Sequence, residues 1–131
     1  MVAVDTNVLV RLLVGDDPAQ SAASRALFAA NSIHIADTVW LETEWVLRAA
    51  YGLRPADICE AFRRLCGLGN VAVNDASRLA QIITWHEAGL DFADAFHVAT
   101  SRGAAAFVTF DVALVKRAKK LAEVRVEGLD T

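Results

Sequence analysis

The sequence predicts an α/β fold: one domain over residues 1–131, with a mainly parallel central sheet of about five strands and helices on both faces. Three observations predict it. Short runs rich in β-branched residues alternate with helical stretches from end to end, the order that builds parallel sheets. A length of 131 residues suits one compact domain. Hydrophobic content of 55 %, with two prolines and seven glycines, supports one real core without disulfides or a structural metal.

The elements follow in order. Val2 to Val4 reads as a buried strand, and Asn7 to Val14 as a short helix ended near Gly15. Asp17 before Pro18 is a helix-start signal. It opens a helix over about Ala19–Ala30, with Ala22, Ala26, Leu27 and Ala30 on one side. Ile33–Ile35 is a second strand. A helix from about Thr38 to Tyr51 is stopped by Gly52, and another runs from Pro55 or Ala56 to Leu65. Val71–Val73 is the third strand. Asn74 or Asp75 caps a helix over Ala76–Glu87, whose apolar face holds Leu79, Ile82 and Ile83. Gly89 breaks it, and Asp91 opens a helix to about Arg102. Phe107–Thr109 is a strand, Asp111 to Ala122 a helix, and Val124–Val126 a last strand.

Net charge is −3 and the pI about 5.5, so the footprint of a strongly basic nucleic-acid module is absent overall. An enzyme with its acids gathered at one metal site remains compatible with that balance. Cys59 and Cys66 lie ~10.5 Å apart along one helix, beyond disulfide reach, and read as reduced core thiols. No C-x-x-C spacing suggests zinc. The N-terminus shows no basic segment followed by a sustained apolar one, and no apolar run is long enough to span a bilayer. Cytoplasmic residence is the expectation.

Four acids sit beside core-forming runs: Asp5 after the first strand, Glu42 in an apolar helix, Asp94 between Ala93 and Ala95, and Asp111 after the fourth strand. A buried carboxylate is costly unless its charge is compensated. In open α/β sheets, ligands bind beyond the carboxyl ends of strands, where Asp5 and Asp111 stand. Oxygen donors there suit Mg²⁺ or Mn²⁺. The competing explanation is helix capping, which fits Asp5, Asp91 and Asp111 singly. Asp91 does that job well and leaves Asp94 available to a site. Glu44 has Arg48 four residues on and reads as a surface ion pair. Glu42 has no basic partner at i+3 or i+4, which makes it the better ligand candidate.

Taken together, Asp5-Thr6-Asn7 after an N-terminal strand, Glu42 in its helix, Phe92-Ala93-Asp94, and Val108-Thr109-Phe110-Asp111 resemble the PIN domain. The segment from Trp45 to Gly52 is similar to that of VapC-type toxins of toxin–antitoxin pairs. The resemblance implies a metal-dependent endoribonuclease whose acidic quartet is Asp5, Glu42, Asp94 and Asp111. It implies Mg²⁺ (or Mn²⁺) as cofactor and products with a 5′-phosphate and a 3′-hydroxyl. Thr6, Asn7, Thr109 and Asp91 are implied as supporting residues, with Asn7 an alternative cap of the first helix. The implied partners are RNA, a protein antitoxin and a second copy of the chain, with no membrane. The apolar load of Trp40, Trp45, Leu47 and Tyr51 suits such interfaces in part. Lys116, Arg117, Lys119 and Lys120 form either a solvated face or a contact to RNA phosphates. Arg11, Arg48 and Arg54 are further candidates for RNA or antitoxin. His97, three residues after Asp94, reads as structural. Two rivals stand beside this reading: a non-toxin PIN nuclease of RNA processing, and a binding module without turnover.

Overall fold

The computed structural model describes residues 1–121 and 124–130, which form two compact units, Met1–Ala76 and Ser77–Thr131.

The first unit is built on three strands, β1 (Val2–Ala3), β2 (Ile33–Ile35) and β3 (Val71–Val73). They pair in parallel in that order, with Ile33 opposite both Val2 and Val71. Parallel neighbours need helical crossovers, and the chain supplies two helices for each. Helices α1 (Thr6–Val14) and α2 (Pro18–Ala30) join β1 to β2; α3 (Asp37–Ala49) and α4 (Pro55–Cys66) join β2 to β3.

Local chemistry sets these ends. Asp5 caps α1, its Oδ1 accepting from the Val8 N–H at 3.2 Å. Gly15 closes α1 in the left-handed region at φ 74°, which glycine adopts without penalty. Asp17 caps α2 ahead of Pro18, as the sequence predicts. Asn70 donates to the carbonyls of Phe28 and Asn31, tying the end of α2 to the approach of β3. Leu9, Val10, Phe28, Ile33, Ile35, Trp40, Leu47, Ile58 and Phe62 are buried. The Trp40 indole meets Phe62 edge-on at 4.9 Å, a favoured aromatic geometry.

The second unit contains α5 (Ala76–Glu87, from Ser77 on), α6 (Phe92–Thr100), β4 (Phe107–Thr109), α7 (Val112–Leu121) and β5 (Val126–Gly128). β4 and β5 pair in parallel, Thr109 opposite Gly128. Leu79, Ile82, Ile83, Trp85, Phe92, Phe96 and Leu114 are buried. His86 is buried too, with Nδ1 at 2.7 Å from the Leu90 carbonyl and its ring edge-on to Phe92.

The α/β class and the parallel pairing hold. All five strands exist, grouped as a sheet of three and a sheet of two rather than one sheet of five. Several boundaries move. β1 ends at Ala3, α3 at Ala49 and α6 at Thr100. β5 starts two residues later than expected, because Val126 is the residue that pairs with Phe107. Ala122, the expected end of α7, lies outside the described residues. The buried face of α2 is Ser21, Ser24 and Phe28 instead of the alanine row. One phenyl ring removes more apolar area from water than several methyl groups, and Ser21 Oγ satisfies itself on the Arg11 carbonyl at 2.8 Å. Cys59 is buried, but Cys66 is exposed at the end of α4 rather than in the core.

Candidate functional site

In the first unit, Asp5 leaves the carboxyl end of β1 with extended backbone and caps α1 through one oxygen. Asn7 therefore does not cap this helix. Thr6 is buried in its first turn and Asn7 is exposed. A cavity of about 290 Å³ adjoins Asp5, lined also by Asn7, Val8, Arg11 and Gln20. Arg11 is committed within the fold. It donates to Asp16 at 2.9 Å, Tyr51 at 3.1 Å and Gln20 at 2.8 Å, and Tyr51 Oη donates to Asp16 at 2.8 Å. The Tyr51 and Arg11 hydrogen bonds hold the Asp16 carboxyl below its usual range, against the opposing effect of burial.

On α3 the two glutamates sit differently from expectation. Glu42 is exposed, as are Trp45 and Ala49 beside it. Glu44 is only 3 % exposed and meets Arg48 Nε at 2.9 Å, so the carboxylate end of this ion pair is buried while Arg48 stays at the surface. The buried stripe of α3 is Trp40, Thr43, Glu44 and Leu47, spaced i, i+3, i+4, i+7. That stripe carries Glu44 inward and leaves Glu42 facing solvent. Arg54 is engaged with Asp57 at 3.3 Å.

In the second unit two carboxylates, Asp91 and Asp111, act on a third, Asp94. Asp91 caps α6, its Oδ2 accepting from the Asp94 N–H at 3.2 Å. Asp111 caps α7, its Oδ1 accepting from Leu114 N–H at 3.1 Å. Thr109 Oγ1 accepts from Asp111 N–H at 3.0 Å and fixes the turn between β4 and α7. Asp94 is half-buried. Burial pushes its carboxyl above the usual carboxylate range; the charges of Asp91 and Asp111 push it further, and His97 opposes them. Arg117 donates to the Gly89 carbonyl at 2.9 Å, tying α7 to the turn ahead of α6. Capping and ligation are thus not exclusive: each cap uses one carboxylate oxygen and leaves the other.

The donors are carboxylate, hydroxyl and amide oxygens, the set that suits Mg²⁺ or Mn²⁺. Among the described residues no three or more His, Cys, Asp or Glu form a ready-made metal cage. Mg²⁺ does not require one, because it binds through one or two carboxylates and keeps several waters. The unfavourable field at Asp94, set up by Asp91 and Asp111, is what a divalent cation relieves. The oxygen donors are of the kind divalent cations take, without forming a ready-made cage among the described residues.

Sequence reasoning missed Phe110. It lies between Thr109 and Asp111 and is 65 % exposed. The signal was present as alternation, since Phe110 is two residues on from Val108, which points outward too.

No helix is long and apolar enough to cross a membrane among the described residues. Comparison with curated proteins and with solved structures returned no match. The family model for the PIN domain matches residues 2–121. PIN domains are generally metal-dependent nucleases that act on RNA. With Asp5, Asp94 and Asp111 each at the start of a helix and the match extending over almost the whole length, the chain belongs to the PIN-domain family.

Proposed function

We propose that this protein is a Mg²⁺-dependent endoribonuclease and the toxin of a toxin–antitoxin pair, working in the cytoplasm as a homodimer held in check by a protein antitoxin. One observation carries the nuclease reading: in a PIN-family chain, the half-buried Asp94 sits in the field of Asp91 and Asp111, which His97 only partly offsets. The toxin assignment rests on the similarity of the Trp45–Gly52 segment to VapC-type toxins, and Trp45, exposed on α3, gives a partner an apolar anchor.

In this reading, which the family resemblance supplies, Asp5, Glu42, Asp94 and Asp111 are the acids that would hold the ion. Bound there, Mg²⁺ supplies a water of lowered pKa and a counter-charge for the phosphate. The chain's own residues do the rest. Thr109 fixes the backbone of Asp111 through its hydroxyl, and Asp91 fixes that of Asp94. Thr6 and Asn7 flank Asp5 and orient its unused oxygen.

The test is incubation of the purified, antitoxin-free protein with total cellular RNA, followed by mapping of the ends. Cleavage is expected in Mg²⁺ or Mn²⁺, with 5′-phosphate and 3′-hydroxyl ends. It should disappear in chelator and in Asp94→Asn. Undiminished cleavage in chelator would sink the metal reading. Growth arrest on expression without a partner supports the toxin, and its absence supports an RNA-processing nuclease. A third reading is an RNA- or protein-binding module without turnover. It gains if protein loaded with Mn²⁺ binds RNA and cuts none.

A further inference from the structure

The second unit exposes a run of apolar side chains beside the acids. Val108 is 51 % exposed, Phe110 65 %, Val112 67 % and Leu129 52 %. Val108 lies in β4 and Phe110 is the first residue beyond it, and both are exposed. Phe107 faces the other way, where the His97 ring stacks on it at 6.5 Å. Thr109 pairs with Gly128, and the Leu129 N–H donates to the Thr109 carbonyl at 2.9 Å. This register brings Leu129 level with Phe110. Among the described residues no aromatic ring meets Phe110. Folding gains nothing by leaving such a side chain in water, and contiguous exposed patches of this kind mark binding surfaces.

The neighbours of the patch select its occupant. Asp111 follows Phe110 directly and is held by Thr109 and by its cap on α7. Val112 and Lys116 lie four apart on one side of α7, with Lys119 and Lys120 a turn beyond, all exposed. An aromatic face beside a row of cations is the pairing by which proteins hold single-stranded nucleic acid: bases stack and phosphates meet the charges. An apolar protein partner answers the patch but not the lysines.

We propose that Phe110, edged by Val108 and Leu129, is the stacking platform for one unstacked base of a single-stranded RNA substrate, placing the adjoining phosphate at Asp111 and Asp94. Phe110 is thus a positioning residue for cleavage. The proposal rests on the ribonuclease reading above and deepens it, since it names the residue that grips the RNA beside the acids.

The test measures binding apart from turnover. In an Asp94→Asn background, with chelator present, a labelled single-stranded oligoribonucleotide is titrated by fluorescence anisotropy, intact and with one abasic position moved along it. Phe110→Ala should weaken binding about 5- to 150-fold. Phe110→Trp should retain it, and Phe110→Leu should lose most of it. One abasic position should cost the Phe110 protein a similar factor and cost Phe110→Ala nothing further. In the cleaving protein, Phe110→Ala should raise KM with kcat changed less than about twofold, and thermal melts should confirm folding. Equal binding by Phe110→Ala, full rescue by Phe110→Leu, or an abasic penalty that persists in Phe110→Ala overturns the platform. So does a change of self-association in Phe110→Ala with RNA affinity unmoved, which assigns the patch to a protein contact. Failure of the ribonuclease reading shows separately, as no cleavage in Mg²⁺ by the unaltered protein while the binding series still gives its answer.

Discussion

Asp94, proposed above as a site residue, costs the fold something. Burial, then the charges of Asp91 and Asp111, raise its pKa in the folded chain. A carboxyl whose folded pKa is raised contributes stability below its unfolded pKa and loses it as pH rises through the folded value. At pH 7 without metal, ionised Asp94 therefore destabilises the protein. Asp94→Asn should abolish cleavage yet raise Tm in chelator at pH 7, with the gain fading toward pH 3 as the carboxyl is protonated in both states. Added Mg²⁺ should raise the Tm of the unaltered protein and not that of the variant. Melting curves across pH, with and without Mg²⁺, check both statements. At this scale the acids were legible because carboxylates beside apolar runs are unusual. The environments of the two glutamates were not. The stripe that buries Glu44 contains Thr43 and Glu44 themselves, and a rule that sends polar residues outward reads it the wrong way round. Arg48 supplies the compensation that makes Glu44 tolerable inside.

Helix starts link stability to the site. Asp5 caps α1 and Asp111 caps α7, so either can be lost in two ways. Asn caps a helix about as well as Asp, while Ala forfeits about 1 kcal/mol. Asp5→Asn should keep the urea midpoint and lose cleavage. Asp5→Ala should lose cleavage and lower unfolding free energy by about 1 kcal/mol, with an unchanged m value. Urea titrations of the two variants separate the roles. The starts of α1, α2, α6 and α7 were legible because an Asp stands at each. α3 begins at Asp37, one residue ahead of the expected Thr38, although Ala36 before it makes no side-chain hydrogen bond. The two-residue length of β1 and the late start of β5 follow from pairing partners far away in sequence, which no local window contains.

For the whole molecule, net charge and local charge give different expectations. The sum is −3, yet α7 presents Lys116, Lys119 and Lys120 to solvent. If these meet three RNA phosphates, the logarithm of affinity should fall with the logarithm of salt concentration at a slope of about −2. Replacing the three lysines by Gln should flatten that slope without touching the Mg²⁺ requirement. Binding isotherms at several salt concentrations measure it. The α/β class was legible from the alternation of elements. The division of five strands into sheets of three and two was not, since a parallel strand carries no local mark of its neighbour.

The parallel register of the first sheet also sets a clock. Val2 pairs with Ile33, and Ile33 with Val71, so the sheet closes only when chain about 70 residues downstream has been made. At about 5–20 residues per second, the ribosome takes roughly 3 to 14 seconds to deliver it. During that interval β1 can meet β2, but β2 still lacks its second neighbour. Slow codons placed between Ile35 and Val71 should lengthen that interval, and the yield of soluble protein from an unchanged amino-acid sequence should fall.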